Sequence, residues 1–264
     1  MVQGQIMTFC LIVAATDGFM AIADGRRGRL TGEAGVYEWL SDDDQKVVAL
    51  PGFPIVALTS GRASFNRRAN AEVLQEVFAR MNMPADARVR AAAEACRSAF
   101  TRLDADYPDP DEVGITTLVA GYESTGSFAA FRLDVPRKVM NPNTVDETTY
   151  DLRSVELDPG LPVIANPAET EAGLDVIAVF DEYFDDIDSE TYGSGGIAAQ
   201  YRFAGQDLDE MRAGVLNLLR HWLEERSVVV AADGIGGNWL FAMVRPGVAV
   251  EMTQPLPLGP MGGR

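Results

Sequence analysis

Histidine, lysine and cysteine are nearly missing from this 264-residue chain. The single histidine, His221, stands beside Trp222 in a predicted helix. A histidine-dependent catalytic triad is therefore excluded unless His221 itself serves, and the ordinary reading of His221 is a packed helix residue. Two cysteines, Cys10 and Cys96, make no disulfide framework. Cys10 falls in an apolar strand-like run and Cys96 on an apolar helix face, so both read as core residues rather than reactive thiols. This usage fits a reducing compartment, and the expected location is cytoplasmic. No stretch reaches the roughly 18 apolar residues that span a membrane. Residues 1–6 lack the basic start of a signal peptide. No spacing of acidic residues suggests a metal site. The glycine run at 234–237 precedes a strand rather than a helix, so it is not a dinucleotide fingerprint. Neither a metal nor a cofactor is expected.

Positive charge is also short. Lys and Arg total 22 against 39 Asp and Glu, a net charge of −17. So acidic a surface repels nucleic acid and anionic membranes, and neither is an expected partner. Only two of the basic residues are lysines, Lys46 and Lys138. In a chain that prefers arginine, a lysine beside a buried-looking strand fits a titratable role, because arginine does not easily give up its proton. The arginines at 26–29 read as a loop able to pair with a neighbour's acidic surface or simply to be solvated.

What the sequence does have is apolar runs at strand length. Hydrophobic residues make up 47% of the chain, enough for one large domain over 1–264. Residues 9–15 (FCLIVAA) and 19–24 (FMAIAD), joined by Thr16-Asp17-Gly18, predict a hairpin. Both runs are apolar on both faces, as in a sheet covered on both sides. A short strand is expected at 36–40 and a second hairpin at 46–50 and 53–59. Helices follow at 69–81, with Val73, Leu74, Val77 and Phe78 at helical period, and at 84–103, opened by Pro84. Residues 113–122 and 127–133 predict a third hairpin. The acidic stretch 140–188 has apolar patches at 161–164 and 176–180 but no assigned structure. Asp207 is placed to cap a strong helix, with Glu210 three residues on. Strands at 228–232 and 239–244 close the chain. Strand blocks alternating with helix blocks suggest an α+β sandwich in four layers, αββα.

The opening segment Thr8 to Arg26 resembles proteasome β subunits and their bacterial relatives: a threonine, an apolar strand, a D-G turn, an apolar strand ending in A-D, then x-R. The start Met7-Thr8-Phe9-Cys10 looks most like the group called Anbu, the ancestral β subunit. Lys46-Val-Val-Ala-Leu followed by 55–61 resembles the family's lysine strand and its glycine-ended strand. Residues 114–123 resemble its next hairpin. Residues 207–244 resemble its last helix, aspartate, G-G turn and final strand.

The resemblance implies an N-terminal-nucleophile hydrolase with Thr8 as nucleophile. The base is the threonine's own α-amine, which must be the chain terminus. Asp24 is implied as its carboxylate partner, Lys46 as the cationic partner and Gly61 as the oxyanion donor, with Asp233 an outer carboxylate and Ser194 the G-S-G serine. A rival alignment sets 36–39 on the lysine strand and leaves the site without a lysine. Residues 1–7 are expected to be a propeptide or a mis-assigned start, and 140–190 an insertion or diverged segment. The family implies a peptide or amide substrate and a homo-oligomeric ring or spiral, with no particular unfoldase indicated. A non-catalytic proteasome-like subunit and a small-molecule amidohydrolase on the same fold are the alternatives.

Overall fold

The computed structural model describes residues 10–30, 37–81, 88–107, 114–135, 151–154, 162–164, 205–225 and 236–258. The N-terminal part holds eight strands: β1 (Cys10–Ala14), β2 (Phe19–Ala23), β3 (Arg27–Leu30), β4 (Tyr37–Ser41), β5 (Val47–Ala49), β6 (Ile55–Gly61), β7 (Ser64–Phe65) and β8 (Arg68–Ala69). Helices α1 (Asn70–Arg80) and α2 (Arg88–Asp106) follow, then β9 (Ile115–Tyr122), β10 (Phe128–Val135), β11 (Asp151–Ser154) and β12 (Pro162–Ile164). Helix α3 (Leu208–Glu225) precedes β13 (Asn238–Val244), β14 (Glu251–Met252) and β15 (Leu256–Pro257).

Two antiparallel sheets dominate this mixed α/β fold. One has the order β12-β1-β2-β13-β14, with β15 also paired to β13, and the other β11-β10-β9-β6-β5. Their largely apolar central strands have two faces to cover, and the packing does so. Cys10, Ile12, Phe19 and Ala21 of the first sheet share a buried cluster with Val56, Leu58, Leu118 and Ala120 of the second. The opposite face of the second sheet, with Ile55, Ala57 and Val119, packs on Leu74, Phe78, Val89, Cys96 and Phe100 of α1 and α2. Helix α3 contacts β2. No helix among the described residues is long and apolar enough to cross a membrane.

The helix ends have identifiable partners. Asp207 Oδ1 accepts the N–H groups of Asp209 (3.0 Å) and Glu210 (2.9 Å), as expected for an N-cap. Asp17, in the β1–β2 turn, accepts Leu208 N–H at 2.8 Å and so ties α3 to the first hairpin. Glu123, in the β9–β10 turn, accepts Arg88 and Val89 N–H at the start of α2.

Several expectations need correction. The arginine segment is not a loop: Arg27–Leu30 is a strand paired with Tyr37–Ser41 in a two-stranded ribbon. Nor is Arg26 a solvated or docking residue, because it is fully buried and bonded within its own chain. The small β7–β8 ribbon was not anticipated. Part of the unassigned acidic stretch adds edge strands: β11 pairs with β10 and β12 with β1. The expected strand at 228–232, the Pro84 helix start and the apolar patch at 176–180 lie outside the described residues.

Candidate functional site

Strand β2 ends at Ala23, and the next residue, Asp24, turns a carboxylate into the protein with 1% of its surface exposed. Its Oδ1 receives Lys46 Nζ at 2.6 Å. Its Oδ2 accepts the backbone N–H groups of Arg26 (3.3 Å) and Gly236 (3.1 Å). Lys46, 5% exposed, precedes β5 and donates a second bond to the Arg26 carbonyl oxygen at 2.6 Å. The Arg26 peptide therefore binds both charged partners, through its N–H on one side and its C=O on the other. Its guanidinium is fully buried, and Nε donates to Asp42 Oδ1 at 2.8 Å. A buried ion pair needs such extra hydrogen bonds to offset the loss of hydration.

Glycines let the chain close around this centre. A Cβ at Gly25 would lie 2.2 Å from the Asn238 carbonyl oxygen and 2.6 Å from that of Asp42. Gly61 has φ +82°, a left-handed conformation, and its Cβ would lie 2.3 Å from the Gly114 carbonyl oxygen. Arg62 N–H bonds to the Gly114 carbonyl on the β9 side, and Thr59 N–H bonds to the Lys46 carbonyl on the β5 side. Gly61 stands between them and lines one recess with Lys46.

Cys10, the first described residue of β1, is fully buried and pairs with Ala23, next to Asp24. Burial pushes its thiol up to about 12; the Lys46 charge opposes this and the Asp24 charge adds to it. Both members of the ion pair thus act on a residue two positions after Thr8. A recess opens beside the pair, lined by Arg27, Asp44, Ser60 and Asn70 together with Lys46 and Gly61. Burial raises the Asp44 carboxyl above its ordinary range, while the Arg27 and Lys46 charges pull it back.

The structure thus brings Asp24, Lys46 and Gly61 to one end of the sheets. Lys46 contacts Asp24. Thr8, Ser194 and Asp233 lie outside the described residues. Sequence reasoning missed Asp42, Asp44, Ser60 and Asn70, and gave Arg26 the wrong surroundings. The A-D-x-R pattern was the available signal for Arg26; the other four carry none beyond their polarity.

The fold is proteasome-like. More particularly, it is similar to two solved structures of Anbu. One is a Gly-1 mutant from Hyphomicrobium sp. strain MC1, with TM-score 0.54 and 10% identity, covering 96% of this chain and 88% of that one. The other is Anbu, the ancestral β subunit, from Yersinia bercovieri, with TM-score 0.52 and 8% identity, covering 92% of this chain and 86% of that one. No family model and no curated protein matches the sequence.

Proposed function

We propose that this chain is a self-assembling amide-bond hydrolase, a peptidase, whose nucleophile is Thr8 at a liberated N-terminus. The observation that carries this reading is the buried Lys46–Asp24 pair, at which β1 begins two residues after Thr8. Covalent geometry keeps the Thr8 Cα within about 7 Å of the Cys10 Cα, whatever the local conformation.

In this reading the Thr8 Oγ attacks the substrate carbonyl carbon and its proton passes to the Thr8 α-amine. The Lys46 ammonium favours the alkoxide character of Oγ, and Asp24 holds the ammonium in place. The oxyanion that forms accepts a hydrogen bond from Gly61 N–H. Collapse of the intermediate breaks the C–N bond, and the leaving amine takes the proton. Water then attacks the acyl-threonine ester, again with the α-amine as base, and returns free Thr8. Ser194 and Asp233 complete the proton network. The helices form the outer layers of an αββα sandwich, and copies assemble into a homo-oligomeric ring or spiral in the cytoplasm.

The requirement for a free α-amine makes the reading testable. The native protein should begin at Thr8 by intact mass. It should cleave fluorogenic peptides, and a Thr-directed electrophile should label Thr8 and block turnover. A protein that retains Met1 when purified from its own cells, assembles, and reacts with neither peptide nor electrophile would instead be a scaffold subunit. Hydrolysis of simple acyl amides with inertness toward every peptide would make it a small-molecule amidohydrolase.

A further inference from the structure

The hydrolase reading leaves the choice of substrate open, and the recess beside Lys46 and Gly61 bears on it. Its walls are unusual for a cleft in so apolar a fold. Ser60 and Asn70 are only 3% and 5% exposed, yet Ser60 Oγ and Asn70 Oδ1 have no hydrogen-bond partner. The Asn70 amide cannot simply be turned to relieve this, because its Nδ2 donates to the Arg62 carbonyl at 2.6 Å. Arg27 Nε is likewise buried without a partner, while Arg27 Nη1 lies 3.4 Å from Asp44 Oδ1. Buried polar atoms left unmade are costly and rare, and several lining one recess point to a polar group that enters it. The space is small. A water-sized sphere has about 10 Å³ in which to move there, room for about one water or one hydroxyl.

Position decides which part of a substrate this is. The carbonyl under attack presents its oxygen to Gly61 N–H, and Ser60 is the adjacent residue. The side chain on the acyl side is attached one bond from that carbonyl, so it is the group that meets the recess. We propose that the recess selects amides whose acyl-side residue carries a small hydroxyl side chain, namely serine or threonine. This rests on the hydrolase reading above. Such groups both donate and accept: they donate to Asn70 Oδ1 and accept from Arg27 Nε or the Ser60 hydroxyl. Large apolar side chains find neither room nor compensation for the orphaned atoms. Acidic ones meet Asp44.

The test uses the full, processed, assembled protein and a set of peptidyl aminocoumarin amides that differ only in the residue before the scissile bond: Ser, Thr, Asn, Leu, Phe and Arg. The kcat/KM for Ser and Thr should exceed that for Asn, Leu and Phe by about tenfold or more, as expected of a small site built to hydrogen-bond its substrate. Ser60→Ala and Asn70→Ala should each shrink that ratio severalfold. Because Asn70→Ala also removes the bond to the Arg62 carbonyl, Ser60→Ala is the decisive variant. Cleavage that favours Leu or Phe overturns the selectivity while leaving the hydrolase standing. A ratio unchanged in Ser60→Ala overturns the role of the recess. Failure to cleave any of the six by a protein that begins at Thr8 overturns the hydrolase reading, and the selectivity with it.

Discussion

Lys46→Met is the sharpest perturbation of the centre, because it keeps most of the side chain's length and removes the ammonium with its charge and its two hydrogen bonds. In the native protein the two side chains are 6% and 0% exposed and 2.6 Å apart, so neither charge has bulk water as an alternative partner. Removing one member of a buried pair costs about 3–5 kcal/mol, because the other is left uncompensated. Here the stranded Asp24 keeps N–H donors from Arg26 and Gly236, which argues for the lower end, about 3 kcal/mol. With a urea m-value of about 3 kcal/mol/M, the unfolding midpoint falls by about 1 M. Asp24→Asn strands the ammonium instead and should cost at least as much. The double variant buries no net charge, so its cost should fall short of the sum of the two by about 2–3 kcal/mol. The assay is equilibrium urea unfolding of all four proteins at one protomer concentration, since assembly shifts apparent stability. A midpoint moved by less than about 0.2 M in Lys46→Met, or costs that add within about 0.5 kcal/mol, would refute the claim that the pair is desolvated and coupled.

Gly61→Ala should destabilise the protein by more than about 2 kcal/mol, because a Cβ there meets the Gly114 carbonyl in addition to the strain of φ +82°. Gly52→Ala, at φ +80° but with nothing within 4 Å, should cost only about 1 kcal/mol, and paired thermal melts read the difference. Cys10 and Cys96, both pushed up to about 12 by burial, should not react with a disulfide reagent at pH 8 until the chain unfolds; fast labelling of native protein would contradict their burial. For Asp17, burial raises the carboxyl, but the Arg245 guanidinium and the Leu208 N–H outweigh it and leave it below its ordinary value. Its contribution is therefore present above the unfolded-state pKa and lost as pH falls through the folded one. Asp17→Asn should reduce stability at pH 7 by less than about 1 kcal/mol, since the pair is partly exposed, and should flatten this part of the acid limb in pH-dependent unfolding.

The buried hairpins were legible because their runs are apolar on both faces and end at turn residues. The segment FMAIA becomes β2, fully buried, and IVALTSG becomes β6. Helices α1 and α2 were legible from period alone, each within a few residues at the ends that are described. The β3–β4 ribbon was not, since RGRL carries no alternation and pairs only with its own neighbour. The edge strand DLRS was hidden for the same reason: pairing with β10 creates it, not a periodic sequence. At the site, resemblance singled out Asp24 and Lys46, and the two are in contact. It gave no hint of Asp42, because an ion pair between residues 26 and 42 exists only once the ribbon between them has turned back.

That ribbon explains how a long interval between Asp24 and Lys46 leaves their contact intact. Both of its ends are gathered at one neck. Asp44 N–H bonds to the Gly25 carbonyl at 2.8 Å, Gly25 N–H to the Gly236 carbonyl at 3.1 Å, and Asn238 N–H to the Asp42 carbonyl at 2.7 Å. The Arg26–Asp42 ion pair crosses the same neck from inside. Three backbone bonds and one ion pair from the buried Arg26 therefore fix the residues on either side of the ribbon before its length enters. Loop length costs only logarithmically once the ends are held. The spacing of Asp24 and Lys46 in sequence is accordingly a poor guide to their distance in space. What matters is that Gly25 and Gly237 leave no Cβ where Asp42 passes, 2.6 Å from each in the space a side chain would fill. Any residue larger than glycine at either position would open the neck, and the Arg26 peptide that holds the lysine and the aspartate would move with it.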